Sequence, residues 1–184
     1  MTQIELFVES LGHSVPKDDK EFIDSLQSKV SSDDTEDIEY RKNEIIGTYF
    51  PKKKNKKITE FHDLILDFIF NYELDEFDMF SVHFYAEHEV GSNKNYILIG
   101  SYEGAELAID KESNLILLLD IDGTKICKCA NDGREFLYTL LNLNSFVQKK
   151  PTLEEKKHFI KETVNISTKE QYNFWLTLVG EWDE

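Results

Sequence analysis

His83, Glu87, His88 and Glu89 are the one cluster of metal-ligating residue types in the chain. Zinc sites draw on closely spaced ligand pairs or on histidines one helical turn apart. Here the two histidines are five positions apart, and on a strand His83, Glu87 and Glu89 would share one face while His88 took the other. The segment reads as an edge strand running into a polar turn. Asp120-Ile121-Asp122-Gly123 resembles the opening of a calcium loop, which needs a third oxygen donor before its glycine and a glutamate at about the twelfth place. Asn131 occupies that place, and its amide cannot supply a bidentate carboxylate; a hairpin turn accounts for the motif. Gly100 and Gly104 have no following Lys-Ser or Lys-Thr, so no phosphate loop is formed. Ser101, His88 and Asp110 have the residue types of a hydrolytic triad without a nucleophile-elbow pattern around the serine. Carboxylates alone remain for catalysis, such as Glu103, Glu106 and Asp110 around a pocket, and among 36 acidic residues some lie close by chance. The expectation is a protein that is not an enzyme and uses no metal or cofactor.

The charge points to binding. With 36 acidic against 21 basic residues, the formal charge is −15. Such a field repels nucleic acid and anionic membrane and speeds encounter with a basic protein, although acidity also serves solubility. Glu103, Glu106, Asp110, Asp120 and Asp122 fall at turns of the expected sheet, with Tyr102 as an aromatic anchor, and form the candidate partner-binding set. The same acids would equally discourage edge-to-edge aggregation. The lysine run over residues 52–57 reads as a solvated loop kept extended by like charge, with a phosphate or an acidic partner as the alternative. Cys127 and Cys129, two apart, point the same way on a strand, a spacing that seldom has disulfide geometry. With no long apolar run and no basic-then-apolar N-terminal segment, a reduced cytoplasmic protein is expected, in which the Asn165-Ile166-Ser167 sequon has no meaning.

One domain of 184 residues, rich in aromatic side chains, positions these groups. Three apolar runs, 96–100, 106–110 and 115–120, are separated by turn residues, and 125–130 alternates after Asp122-Gly123; together with an alternating run at 79–86 they predict an antiparallel sheet of about four to six strands over 79–130. The period then becomes helical, with Phe136, Leu137, Leu140, Leu141 and Asn144 on one side of a covering helix over 133–144. Upstream, helices are expected within 1–47, the first stopping at Gly12, the second starting at Pro16 with Ser14 as a nearby cap and carrying Phe22, Ile23, Leu26 and Val30, and a third over 36–46. The stretch 48–51 reads as extended before Pro51, and 58–72 as a buried central helix, apolar nearly all round. A helical extension over 151–182 opens with a Thr152–Glu155 capping box, followed by a second box from Ser167 and Glu170 and a stripe of Tyr172, Trp175, Leu176 and Val179. This α+β arrangement of sheet and covering helices is the expected fold class.

The string ILIGSYEGAELAID, followed by LLLDIDG and a helix of the form REFLYTLLNL, resembles the SUKH superfamily, which groups yeast cell-wall-synthesis regulators with many bacterial immunity proteins. Leu11-Gly12, then Val15-Pro16 through Phe22, is similar to that family's N-terminal helix start. The resemblance covers roughly half of the chain and implies an immunity protein whose partner is a basic toxin domain, often a nuclease. It also implies the alternative of a regulatory adaptor working through the Trp175 and Trp182 region, and a carboxylate-based hydrolase stands as a further alternative. A monomer or weak homodimer is expected, with no nucleic-acid or membrane partner.

Overall fold

Thr2 and Glu5 cap each other: the Thr2 hydroxyl accepts from the Glu5 N–H, and the Glu5 carboxylate accepts from the Thr2 N–H. The computed structural model describes residues 1–28, 36–56, 60–164 and 166–180. From this reciprocal cap α1 runs over Gln3–His13 and buries Ile4, Phe7 and Leu11. Gly12 does not stop it. The helix closes at Ser14, whose hydroxyl donates to the Leu11 carbonyl, so Ser14 finishes α1 and does not cap the next helix. That helix, α2 (Lys17–Ser28), begins directly after Pro16, whose carbonyl accepts from Lys20 N–H. Val30 and the side chain of Leu26 lie outside the described residues.

α3 (Glu36–Tyr49) continues past its expected end, so Thr48 and Tyr49 are helical where an extended segment was expected. Long-range partners explain this. Thr48 exchanges two hydrogen bonds with the Asp78 backbone, and the Tyr49 hydroxyl donates to Asn144 at 3.1 Å. Gly47 is there for close approach: a Cβ would overlap Glu76. Asn144 also donates to the Ser14 carbonyl at 2.9 Å, joining the ends of α1 and α3 to the helix at 133–147 through a buried polar network. Tyr49→Phe removes one bond of that network while keeping the ring, and urea unfolding is expected to show a loss of about 1 to 2 kcal/mol; an unchanged midpoint would contradict the role given to it.

The central helix α4 (Leu64–Asn71) is about half as long as the 58–72 helix expected. Asp63 caps it, and Phe61 N–H donates back to the Asp67 carboxylate, which makes the preceding residues a capping loop; residues 58 and 59 are outside the described set. It buries Leu64, Ile65, Phe68 and Ile69, with Phe68 edge-on to Phe7, Phe77 and Phe84.

The sheet is antiparallel throughout, in the order β1 (Val82–Phe84), β3 (Tyr96–Tyr102), β4 (Ala105–Asp110), β5 (Ile116–Leu119), β6 (Lys125–Ala130), with β2 (Gly91–Ser92) pairing β3 beside β1. The meander falls where the turn residues placed it. The first strand is shorter than 79–86 because Phe80 and Ser81 take positive φ and fold Met79 back onto Val82. After it come α5 (Gly133–Val147), α6 (Leu153–Thr163) and α7 (Lys169–Leu178). The Thr152–Glu155 capping box forms as its spacing implied. α7 starts one residue later than expected: Thr168 accepts from Gln171 N–H, and Ser167 bonds the Gln171 side chain.

Helices pack on one face of the sheet, burying Ile99, Tyr102, Leu107, Ile109, Ile116, Leu118, Cys127 and Cys129 in the main core. On the other face Ala108, Leu117 and Leu119 form a second cluster with Tyr96, Leu98 and Leu115, to which, among the described residues, no helix contributes. Among the described residues no helix is long and apolar enough to cross a membrane.

Candidate partner-binding surface

Antiparallel hairpins return their turns to alternate ends of a sheet. Val82 lies opposite Tyr102, and Glu106 opposite Leu119, so the reversal at Phe80-Ser81, the β3–β4 turn and the β5–β6 turn share one end. This gathers Glu103, Glu106, Asp120 and Asp122. Asp110 is at the far end of β4, about 17 Å away at about 3.3 Å per residue, and takes no part in that group.

Tyr102 is not the exposed anchor its place beside a turn suggested. It is 6% exposed, with its ring edge-on to Phe174 at 5.5 Å. Strict alternation would put it on the same face as Tyr96 and Leu98, but the register of β3 shifts between Leu98 and Gly100. That bulge turns Tyr102 toward the helices. Burial pushes its phenol up to about 12, helped by the neighbouring charge of Glu103.

The carboxylates have their own local duties. Glu106, half-buried on the face away from the helices, accepts from the Tyr85 hydroxyl, whose pKa rises through burial and through that carboxylate. Asp110 accepts from Glu112 and Ser113 N–H and holds the β4–β5 turn; the Ser113 bond is the main reason its pKa is lowered. Asp122 accepts from Thr124 N–H, which lowers its pKa in the same way, and Asp120 accepts from Ile121 N–H. A carboxylate offers about four acceptor positions, so capacity is left over. Among the described residues no lysine or arginine forms an ion pair with Glu103, Glu106, Asp110, Asp120 or Asp122.

The lysine run behaves differently from the solvated loop expected. Lys52 pairs with Glu73, Lys53 with Glu5 at 2.7 Å, and Lys54 and Lys56 both with Glu87. Lys53 forms a bridge with Tyr72, Lys54 N–H donates to Asn71, and the Lys54 ammonium donates to the Ile69 carbonyl at the end of α4. Lys53 is the main cause that holds the Glu5 carboxyl down to about 2. Lys57 lies outside the described residues.

The residues weighed for chemistry do not converge. Glu87 is committed to two lysines, and His83 is 3.6 Å from Asp78. Ser101 faces Glu106 across the ladder, whereas Asp110 sits at the other end of the strand. Among the described residues no three His, Cys, Asp or Glu side chains are placed to hold a metal ion. Cys127 and Cys129 are free thiols buried under the helices, and burial pushes the Cys129 thiol up.

No family model, curated protein or solved structure matches the chain.

What the reading by turns missed is the apolar face next to them. Ile121, at the tip of the β5–β6 turn between Asp120 and Asp122, is 88% exposed, and Ile126 on β6 is 46% exposed. Leu98, Tyr96 and Leu115 are half-buried around the cluster of Ala108, Leu117 and Leu119. The signal was present in Ile116-Leu117-Leu118-Leu119: an unbroken apolar strand in an antiparallel sheet means that neither face is wet.

Proposed function

We propose that this protein is a non-catalytic, acidic binding protein of the immunity type, which neutralises a cognate toxin, a nuclease for instance, by covering the toxin's basic active site. The observation that carries the reading is the group of carboxylates at the turn end of the sheet, Glu103, Glu106, Asp120 and Asp122, without lysine or arginine partners among the described residues while the lysine run is consumed elsewhere. A nuclease cleft is built to hold phosphates, and carboxylates on a protein of net charge −15 can stand in for them. The resemblance to SUKH immunity proteins supports the same reading. On this reading the protein works in the cytoplasm as a monomer or weak homodimer with a basic protein partner. The adaptor reading leaned on Trp175 and Trp182; Trp175 is fully buried, and Trp182 lies outside the described residues.

The test is binding and inhibition with the product of the adjacent gene. A Glu103→Gln, Asp120→Asn, Asp122→Asn triple variant keeps the side-chain shapes and removes three charges. Its association rate at low salt is expected to fall about tenfold, and the difference to shrink at high ionic strength, because exposed charges act through a screened field. If the adjacent product neither binds the wild-type protein nor loses activity in its presence at low salt, the reading is wrong.

A further inference from the structure

We infer that the sheet face turned away from the packed helices is itself the docking surface, and that its occupant is a protein surface with an aliphatic centre and a lysine- or arginine-rich margin. The inference rests on the acidic binding role proposed above and names the surface that role uses. Three features lead to it. The first is the cluster of Ala108, Leu117 and Leu119 with Tyr96, Leu98 and Leu115, made of residues on or directly before strands β3 to β5. Strand faces in antiparallel sheets are normally either wet and polar or covered; here Ala108, Leu117 and Leu119 are 0 to 2% exposed beneath the half-buried Tyr96, Leu98 and Leu115, which are the apolar side chains a partner would meet, and among the described residues no helix residue belongs to the cluster. The second is a pair of exposed apolar side chains at the same edge of the sheet, Ile126 at 46% on β6 and Ile121 at 88% in the β5–β6 turn.

The third is charge. Across residues 96–130 the face and its turns carry Glu103, Glu106, Asp110, Glu112, Asp120 and Asp122 against Lys111, Lys125 and Lys128. Two of those lysines are engaged locally, Lys111 with Ser92 and Asn93 and Lys128 with Asn131. An apolar centre inside a carboxylate margin complements an aliphatic patch ringed by cations, the arrangement in which a desolvated centre supplies affinity and the rim supplies steering. A second copy of the chain is disfavoured as occupant, because apposing this face with itself would bring two acidic margins together.

Two synthetic heptapeptides of equal charge test the surface without any natural partner: one alternates lysine and leucine, the other places its lysines among glycines. The alternating peptide is expected to bind at least tenfold more tightly, and its backbone amide shifts in nuclear magnetic resonance spectra to fall on β3 to β6 and the turns at 103–104 and 120–124. Ile126→Arg, at an exposed position that leaves folding intact, and Leu98→Arg should each remove most of that preference while leaving binding of the lysine–glycine peptide in place. Tyr40→Arg, on the exposed side of α3, should change neither. Equal affinity for the two peptides, or shifts centred on Tyr40, Ile46 and Phe50, would overturn the inference. So would a dimer in sedimentation that Leu98→Arg dissociates, since the occupant would then be a second copy. Failure of the adjacent gene product to bind counts against the toxin reading and leaves this peptide map unaffected, so the two failures are distinguishable.

Discussion

Gly133→Ala is expected to destabilise the protein by about 3 kcal/mol, the combined scale of overpacking and of a lost hydrogen bond to a buried charge, and to lower the melting temperature by roughly 6 to 12 °C for a chain of this size. Gly133 is the first residue of α5, and its N–H donates to one oxygen of Asp63 at 2.8 Å while Ile65 N–H, in the first turn of α4, donates to the other at 2.8 Å. One carboxylate thus serves the N-termini of two helices, where negative charge is favoured by the unpaired amides. A Cβ on Gly133 would overlap the Asp63 carboxylate at a separation that real Cβ atoms do not show. Removing the acid together with the glycine relieves the overlap, so the Asp63→Ala, Gly133→Ala double variant should be less destabilised than the sum of the two single variants. Strict additivity in denaturant titrations would show that the two residues do not act as a unit.

Asp63 also gives that contact a pH dependence. Burial raises its pKa above the ordinary 3.8 against the opposing pull of the Gly133 and Ile65 amides. A carboxyl whose folded pKa is raised contributes stability that is fully present below the unfolded pKa and is lost as pH climbs through the folded pKa. Asp63→Asn, which lacks this titration and puts an amide N–H₂ against a backbone donor, should therefore cost more stability near about pH 4 than near about pH 7. A penalty that grows toward neutral pH would reverse the sign of the argument.

Trp175→Ala should cost about 3 to 5 kcal/mol, the range for deleting a large buried ring, and should loosen the last strand of the sheet. The indole is fully buried and packs on Phe136 and Phe174 with ring centroids 5.5 and 5.1 Å away. Its Nε1–H donates to the Cys129 carbonyl at 2.9 Å, and the Gln171 side chain donates to the same oxygen at 3.2 Å. α7 thereby closes a hydrogen-bonding position on the outermost strand, β6, with side chains in place of a further strand. Trp175→Phe keeps most of the packing and leaves Gln171 as the remaining donor, so a loss of about 1 to 2 kcal/mol is expected. Adding Gln171→Leu strands the carbonyl, and the double variant should lose more than the two single losses together, with faster amide exchange over Cys127 to Ala130. Unchanged exchange there would mean that α7 does not guard the edge.

The residues that could be read in advance are those whose partners are close in sequence. The β3–β4 and β5–β6 turns appear where Glu103-Gly104 and Asp122-Gly123 placed them, because a tight reversal is decided by its own two or three residues. Thr152 and Glu155 cap α6 as their spacing implied, for the same reason. The misread residues have distant partners. Lys53 is paired with Glu5, 48 positions away, and Lys54 with Glu87, 33 away, so a charge run that looked solvated is a set of clasps. α4 begins at Asp63, and the second helix which that carboxylate serves starts 70 positions later. Gly47, just past the expected end of the third helix, lies inside α3 and is a contact point for Glu76.

For the candidate surface the division is similar. The chain's order of residues was enough to put an antiparallel meander at 96–130, acids in its turns and a large negative charge on the whole, since alternation, turn chemistry and composition are local or additive properties. Only the folded arrangement decided that Glu103, Glu106, Asp120 and Asp122 meet at one end without Asp110, that the bulge after Leu98 sends Tyr102 into the core, and that, among the described residues, the helices pack on one sheet face alone. A single inserted residue reverses every later side chain on a strand, and which face the helices cover depends on where segments far along the chain come to pack.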